Sequence, residues 1–221
     1  MKRMALGFLL IIGISAAAFS VEENWLSVGG SFGNYFDRGS DIGNFYYGSS
    51  GVNLNAYGFS NQNNIGAFVN LGLQYPVVNN IGNNYQPIVQ TDLLFGVGFR
   101  YSINERLKLH FGAGPNISFL ALEDKANDNE KTEHKRIMLG IGGDAGVKYD
   151  ITDVIYIDFG TILLFNFAGH SWVDSTLDNW TNTRRESYGW ISGNTMFGIR
   201  PYIAIGFNYY QESGKWGKPD R

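Results

Sequence analysis

The chain of 221 residues has no cysteine, and only 17% of its residues are charged. The absence of cysteine excludes a disulfide scaffold, a thiolate metal site and a lipidated N-terminal cysteine. The mild acidic balance argues against a nucleic-acid partner, which requires a basic surface. After residue 20, no apolar run reaches the roughly 20 residues that a spanning helix needs. If the chain crosses a membrane, we expect it to cross as strands, because every backbone polar group inside the bilayer must be hydrogen-bonded within the protein.

The N-terminus has the pattern of an export signal. Lys2 and Arg3 precede an apolar run over residues 4–18 that ends in small residues suited to cleavage. This pattern predicts a cleaved signal peptide at 1–20 and a Gram-negative type of envelope. The mature chain is then expected to form one domain over 21–210, followed by a short periplasmic tail at 211–221.

Strict alternation of apolar residues is the main structural signal that remains. From Val89 to Ile103 nearly every second residue is apolar, and the residues between them are mostly small or polar. A period of two indicates a strand whose faces meet different media, and this length suits a tilted membrane crossing of roughly 9 to 11 residues. The same pattern predicts eight strands, at residues 25–35, 51–60, 65–75, 89–103, 107–119, 137–149, 155–165 and 196–209.

The connections between these strands alternate strictly between short and long. Short turns and longer outside loops are typical of outer-membrane barrels. We therefore predict an all-β fold, an eight-stranded antiparallel up-and-down transmembrane β-barrel in the cell outer membrane. The expected outside loops are 36–50, 76–87, 123–136 and 168–193.

The composition of the two faces separates this fold from a soluble barrel. The polar face is rich in Gly, Ser and Asn, which fit inside a narrow cylinder, and the apolar face carries almost no charge. Pro115 and Pro201 interrupt the apolar face and predict a bulge at each, because proline cannot donate to the ladder. Aromatic residues near strand ends are expected to form interfacial girdles: Trp25, Tyr75, Tyr101, Tyr149, Phe207 and Tyr209.

Charged side chains on the inward face predict a polar network in the lumen, because an isolated charge there is costly to desolvate. Its members are Asp92, Arg100, Lys108, His110, Asp144, Lys148, Asp158 and Arg200. The network can be a salt-bridged plug, or a gate that rearranges to open a narrow path. Apolar residues that face inward near the top would suit an apolar passage: Leu94, Leu120, Leu122 and Ile162.

Aromatic and arginine residues in the predicted loops form the candidate interaction surface, since such residues are favoured in interfaces. The candidates are Phe45, Tyr46, Tyr47, Trp172, Trp180, Arg184, Arg185 and Trp190. His170 and Ser171 do not form a catalytic pair, because neighbours in an extended chain point in opposite directions. No histidine pair has metal-ligand spacing. We predict no catalytic site, no metal and no cofactor.

The export signal, eight alternating strands and asymmetric connections resemble the small outer-membrane barrels of the OmpA, OmpX and OmpW type. The resemblance implies contact with outer-membrane lipid, assembly by the barrel-assembly machinery and a monomeric state. It leaves three functions open: a structural or adhesin-like surface barrel that binds an extracellular ligand, passive transport of small apolar molecules, or modification of lipid A. We take the first as the leading hypothesis, and the absence of a histidine and a serine on one strand face counts against the third.

Overall fold

Alternating apolar and small polar residues produce a continuous antiparallel sheet. The computed structural model describes residues 23–38, 44–60, 64–80, 85–124, 130–177, 183–210 and 215–216. The predicted signal peptide lies outside this part of the chain. Nothing in these ranges is a helix with the length and apolar character needed to cross a membrane.

The strands are long, and each pairs with its neighbour in sequence. They are β1 (Glu23–Arg38), β2 (Asn44–Phe59), β3 (Ile65–Asn80), β4 (Tyr85–Ser102), β5 (Leu107–Asp124), β6 (Glu130–Asp150), β7 (Ile155–Leu177), β8 (Thr183–Tyr210) and β9 (Lys215–Trp216). We call the end of the sheet that holds Glu23 and Tyr210 the lower end, and the opposite end the upper end.

Pairing of β1 with β8 closes the sheet into a ring, from Glu23 opposite Tyr210 to Arg38 opposite Thr195. The predicted eight-stranded up-and-down barrel is confirmed. Strand β9 adds two residues beside Tyr209 and Tyr210, within the segment predicted as a tail.

The two faces of the wall differ as the alternation predicts. Large apolar side chains point outward and are exposed, among them Phe32, Val97, Phe111, Ile141, Phe159 and Ile203. Polar and aromatic side chains fill the inside, where glycine makes room for them. A Cβ on Gly198 would lie 2.8 Å from the Tyr35 ring, so only glycine fits there without displacing that ring. Trp25, predicted in a girdle, is instead buried inside, where its Nε1 donates to Glu23.

The four segments predicted as long outside loops are mostly paired strand, so that prediction is wrong. Strand β2 begins at Asn44 rather than 51, and β8 begins at Thr183 rather than 196. Apolar and polar residues alternate only where one face of a strand meets lipid and the other meets the lumen. Backbone pairing between the strands continues beyond that region. What separates the upper strand ends is short: residues 39–43, 81–84, 125–129 and 178–182, all outside the described part.

The bulges expected at Pro115 and Pro201 are also not present. The register between β4 and β5 is the same on both sides of Pro115, although the pairs at Phe95 and Gly96 are missing. Pro201 likewise lacks a partner on β1 and keeps its pairing with Thr161 on β7. The missing N–H therefore opens one ladder locally without shifting the strand.

Candidate functional site

The lumen holds all eight residues of the predicted polar network. Seven of them are buried, and the Arg100 side chain is 9% exposed. They form three clusters at successive heights, each made of inward-pointing residues from strands on different sides of the barrel.

Arg200 and Asp92 form the middle cluster and are fully buried. Arg200 Nη1 donates to Asp92 Oδ2 at 2.8 Å, and Nη2 donates to Asn70 Oδ1 at 2.5 Å. Asp92 also accepts from three uncharged donors: Tyr35 at 3.0 Å, Ser118 at 2.6 Å and Gln90 at 2.9 Å. This carboxylate is thus held by four strands, and the pair spans the lumen.

His110 lies in the second cluster, below the first, between two carboxylates. Its Nε2 is 2.8 Å from Asp158 Oδ1, and its Nδ1 is 3.1 Å from the Tyr57 hydroxyl. Tyr57 donates to Asp144 at 2.5 Å, and Tyr202 donates to the same carboxylate at 3.2 Å. The tyrosines extend the polar network across the width of the barrel.

Glu23 organises the third cluster, at the lower end. It forms ion pairs with Arg100 and with Lys108, the latter at 2.7 Å. Lys148 pairs with Asp150, and its Nζ lies 4.7 Å from the Trp25 ring centre. Cations stacked on aromatic rings are stabilised further when desolvated.

A further ion pair closes the upper end of the lumen. Arg136 Nη1 donates to Asp37 Oδ2 at 2.5 Å, with both side chains buried. Below it, the rings of Tyr35 and Tyr47 stack with centres 5.0 Å apart. Apolar side chains fill the space beside them: Leu94, Leu120, Leu122, Met138, Ile162, Leu164 and Met196. The lumen is therefore occupied by side chains from Glu23 to Arg136.

Sequence reasoning missed several members of this network. Asp37 and Arg136 fell in predicted loops, Asp150 in a predicted turn, and Glu23 before the first predicted strand. All four lie at positions that point inward when the alternation of their strand is continued past its apolar part. Extending each predicted strand in this way would have identified them. The large inward tyrosines gave no such signal, because tyrosine suits either face.

The upper end carries the second candidate surface. Residues 130–139 of β6, 168–177 of β7 and 183–194 of β8 pair as three neighbouring strand segments, which we call the projection. A membrane crossing uses roughly 9 to 11 residues of a strand. Since β8 has 28 residues, much of it extends beyond that length.

The predicted loop candidates divide between several places. Tyr47 is buried in the lumen, so it is not an exposed loop residue. Phe45 and Tyr46 lie in β2, and Tyr46 donates to Asn34 Oδ1 at 2.8 Å. Trp180 lies outside the described residues. The others lie in strands of the projection, not in loops: Trp172, Arg184, Arg185 and Trp190.

The projection also brings together a serine and a histidine that the sequence left apart. Ser187 Oγ on β8 lies 3.5 Å from His170 Nε2 on β7, and Ser187 is exposed. This distance is at the outer limit of a hydrogen bond. Ser171, the serine considered from the sequence, points into the barrel and is buried.

A seam divides the upper wall between β3 and β4. These strands pair as far as Gln74 opposite Gln90, but β3 continues to Asn80 and β4 begins at Tyr85. Pro76 and Pro87 lie in the unpaired parts, where neither has an N–H to donate. In the upper wall, β3 and β4 are therefore not joined by backbone hydrogen bonds within the described residues, and this gap lies next to the apolar part of the lumen.

Comparisons with known proteins agree with this architecture. The family model described as "Outer membrane protein beta-barrel domain" matches residues 6–163. A search of curated proteins found no match.

Two solved structures with the same fold are a major outer membrane protein of Thermus thermophilus and Ail, the attachment invasion locus protein of Yersinia pestis. The first has a TM-score of 0.54 at 10% identity, with 84% of this chain and 99% of that chain covered. Ail has a TM-score of 0.50 at 13% identity, covering 86% of this chain and 99% of that one. At these identities the likeness shows the fold alone.

Proposed function

We propose that this chain, which belongs to the outer membrane protein β-barrel family, is a closed, non-enzymatic barrel. In this proposal, the projection binds an extracellular ligand. The predicted location in the cell outer membrane is confirmed by that family. The strands extend beyond the length of a membrane crossing at the upper end, and outer-membrane barrels have their longer connecting segments outside the cell, so we place the lower end in the periplasm and the projection outside.

The filled lumen is the observation that carries this proposal. Ion pairs and hydrogen bonds cross it at every height from Glu23 to Asp37, and Arg200, Asp92 and Lys148 have no exposed surface. Buried charges that are paired on several sides are costly to separate. A lumen built in this way favours a rigid support over a channel.

Removal of the outer part of the projection tests the ligand-binding part of the proposal. Val173 of β7 is opposite Glu186 of β8, so residues 174–185 can be replaced by Asn-Gly without changing the register below. We expect bacteria that display the shortened barrel to lose adherence to cultured cells, compared with bacteria that display the full chain. Heat-modifiability on gels should be unchanged and serves as the folding control. Equal adherence of both would contradict the proposal.

The non-enzymatic part has its own test. The Ser187 hydroxyl and the His170 ring are 3.5 Å apart. A nucleophilic serine is activated by a base at about 2.6 to 3.2 Å, so this pair is too far apart to be an activated pair in this structure. We expect lipid A from cells expressing the protein to have the same mass spectrum as lipid A from cells without it. A changed acyl composition that Ser187→Ala abolishes would make the protein an enzyme.

Transport of small apolar molecules is a second candidate, favoured by the seam between β3 and β4. An apolar molecule could enter the upper lumen beside Leu120 and Leu122 and leave sideways into the outer leaflet, above the Arg200 and Asp92 pair.

The natural absence of cysteine makes this route testable. A disulfide between Tyr75→Cys and Val89→Cys would cross the seam. The control disulfide, between Leu73→Cys and Thr91→Cys, joins residues that are already opposite each other. Slower uptake of a fluorescent fatty acid with the first disulfide alone would support transport, and equal uptake with both would exclude this route.

A further inference from the structure

The second cluster of the lumen contains a chain of three hydrogen-bond contacts that joins two carboxylates. Asp158 Oδ1 lies 2.8 Å from His110 Nε2, and His110 Nδ1 lies 3.1 Å from the Tyr57 hydroxyl. The same hydroxyl lies 2.5 Å from Asp144 Oδ2. Each contact needs one hydrogen between its two heavy atoms, so the chain as a whole needs three.

The ordinary protonation states of these groups supply only two hydrogens. A neutral imidazole has one N–H, a phenol has one O–H, and an ionised carboxylate has none. When Tyr57 donates to Asp144, the missing hydrogen lies on the His110 ring or on Asp158. When Tyr57 donates to His110 instead, the missing hydrogen lies on Asp144. In each arrangement the chain is complete only with one additional proton.

Burial prevents water from replacing the missing hydrogen bond. The His110 side chain is 1% exposed, and that of Asp144 has no exposed surface. Two buried acceptors in contact are unfavourable, because both have lost their hydrogen bonds to water and have gained none. An added proton satisfies both members of such a contact.

Charge is a second reason for the added proton. Without it, Asp144 and Asp158 would carry two negative charges beside a neutral ring, and like charges are costly in a buried site. The tyrosines that face the site bring no charge: Tyr57 of β2, Tyr156 of β7 and Tyr202 of β8. The cations below it are each paired with an acid of the third cluster: Arg100 of β4 and Lys108 of β5 with Glu23 of β1, and Lys148 of β6 with Asp150.

We infer that His110, Asp144 and Asp158 form a buried proton-binding site, which holds one proton more in the folded barrel than these groups hold in water at neutral pH. The inference goes beyond the proposed function and does not depend on it, since it concerns the lumen alone. The added proton leaves the site with one negative charge instead of two. It also completes a hydrogen-bond chain that joins β2, β5, β6 and β7.

The added proton makes the stability of the barrel depend on pH. A histidine in the unfolded chain releases its proton near pH 6.5, at about the ordinary value for this side chain. Above that pH the folded state binds more protons than the unfolded state, so a rise in pH favours unfolding. The contribution of the site to stability is complete below about pH 6.5. It is lost as the pH rises further, until the folded site also releases its proton.

An isosteric double variant removes the need for the proton and keeps the contacts. In His110→Gln with Asp144→Asn, the two amides supply N–H donors to Asp158 and Tyr57, and the glutamine carbonyl accepts from Tyr57. Urea unfolding in lipid vesicles gives the unfolding equilibrium constant. Between about pH 6.5 and 8, we expect this constant to increase about tenfold or more in the unmodified barrel, beyond its increase in the double variant.

Tyr202→Phe is the matched control for this comparison. It removes another buried donor to Asp144, at 3.2 Å, but leaves the chain of three contacts intact. The variant should therefore be less stable than the unmodified barrel and keep its pH dependence. The same pH dependence in the unmodified barrel and the double variant would overturn the inference.

Spectroscopy tests the site without any substitution in it. His134→Gln with His170→Gln leaves His110 as the one histidine of the chain, and ¹⁵N NMR of this barrel at about pH 8 counts the protonated ring nitrogens. Two protonated nitrogens would place the proton on the ring. One protonated nitrogen, with a carboxylic-acid C=O stretch in the infrared spectrum that the site double variant lacks, would place it on a carboxylate. One protonated nitrogen without that stretch would overturn the inference, even if the site double variant does not fold.

Discussion

The lumen and the projection are built from the same strands but differ in what surrounds them. In the lumen, strands are paired on both sides and inward charges have partners on opposite walls, as with Arg200 and Asp92. In the projection, β8 has a strand partner on one side only among the described residues, and charge pairs such as Lys135 with Glu133 are partly exposed. The difference indicates that stability comes from the lumen, and it leaves the projection as the part that we propose to bind a ligand.

Removal of the central arginine should have the largest effect on stability. Arg200→Met leaves the Asp92 carboxylate buried without its charged partner, and loss of one member of a buried pair costs about 3 to 5 kcal/mol. Urea unfolding of the barrel in lipid vesicles measures this loss. Replacement of both residues, by Arg200→Met with Asp92→Asn, should restore part of it. An additive double variant would show that the two residues are not coupled.

Two neighbouring residues of β6 compare the regions directly. Arg136 points inward to Asp37, and its side chain is 5% exposed, whereas Lys135 is 25% exposed beside Glu133 and Asp174. We expect Arg136→Ala to destabilise the barrel by about 3 kcal/mol or more and Lys135→Ala by about 1 kcal/mol or less. Equal losses in urea unfolding would contradict the division between the lumen and the outward face of the projection.

Addition of one methyl group tests how tightly the lumen is filled. A Cβ on Gly198 would crowd the buried Tyr35 ring at 2.8 Å, and an overfilled core costs about 1 to 3 kcal/mol. The matched control is Gly30→Ala, because nothing lies within 4 Å of a Cβ at that outward position. We expect the urea midpoint to fall for Gly198→Ala alone. A similar change in both variants would mean that the lumen has space to spare.

Loss of a single hydrogen bond on the outer surface should have the smallest effect. Tyr46→Phe removes the bond from Tyr46 to Asn34 on an exposed part of the wall, where water replaces the lost partner. Surface changes of this kind stay within about 0.5 kcal/mol. A larger shift of the urea midpoint would show that this outer pair has a structural role comparable to the buried network.

The sequence predicts the membrane-spanning part of the fold better than the upper part, for a physical reason. Phe95, Val97 and Phe99 alternate with glycine and leucine because one face meets lipid, so the strand and its inward side are evident. Above the bilayer the outer face meets water instead of lipid, so a stretch such as residues 44–50 loses its apolar alternation, although its backbone remains paired and Tyr47 and Ser49 stay buried inside.

The candidate site follows the same limit. Eight inward charges could be named from parity, but Glu23 and Asp37 lie beyond the apolar alternation of β1, and their partners lie on distant strands. The contacts across the lumen, such as Tyr57 with Asp144, depend on barrel closure, which no single strand encodes.

Conductance in a planar lipid bilayer tests the closed lumen most directly. The refolded full-length barrel should insert without producing discrete current steps, because the clusters around Glu23, His110, Arg200 and Arg136 occupy the lumen at every height. Uniform, reproducible single-channel steps from the unmodified protein would contradict the account.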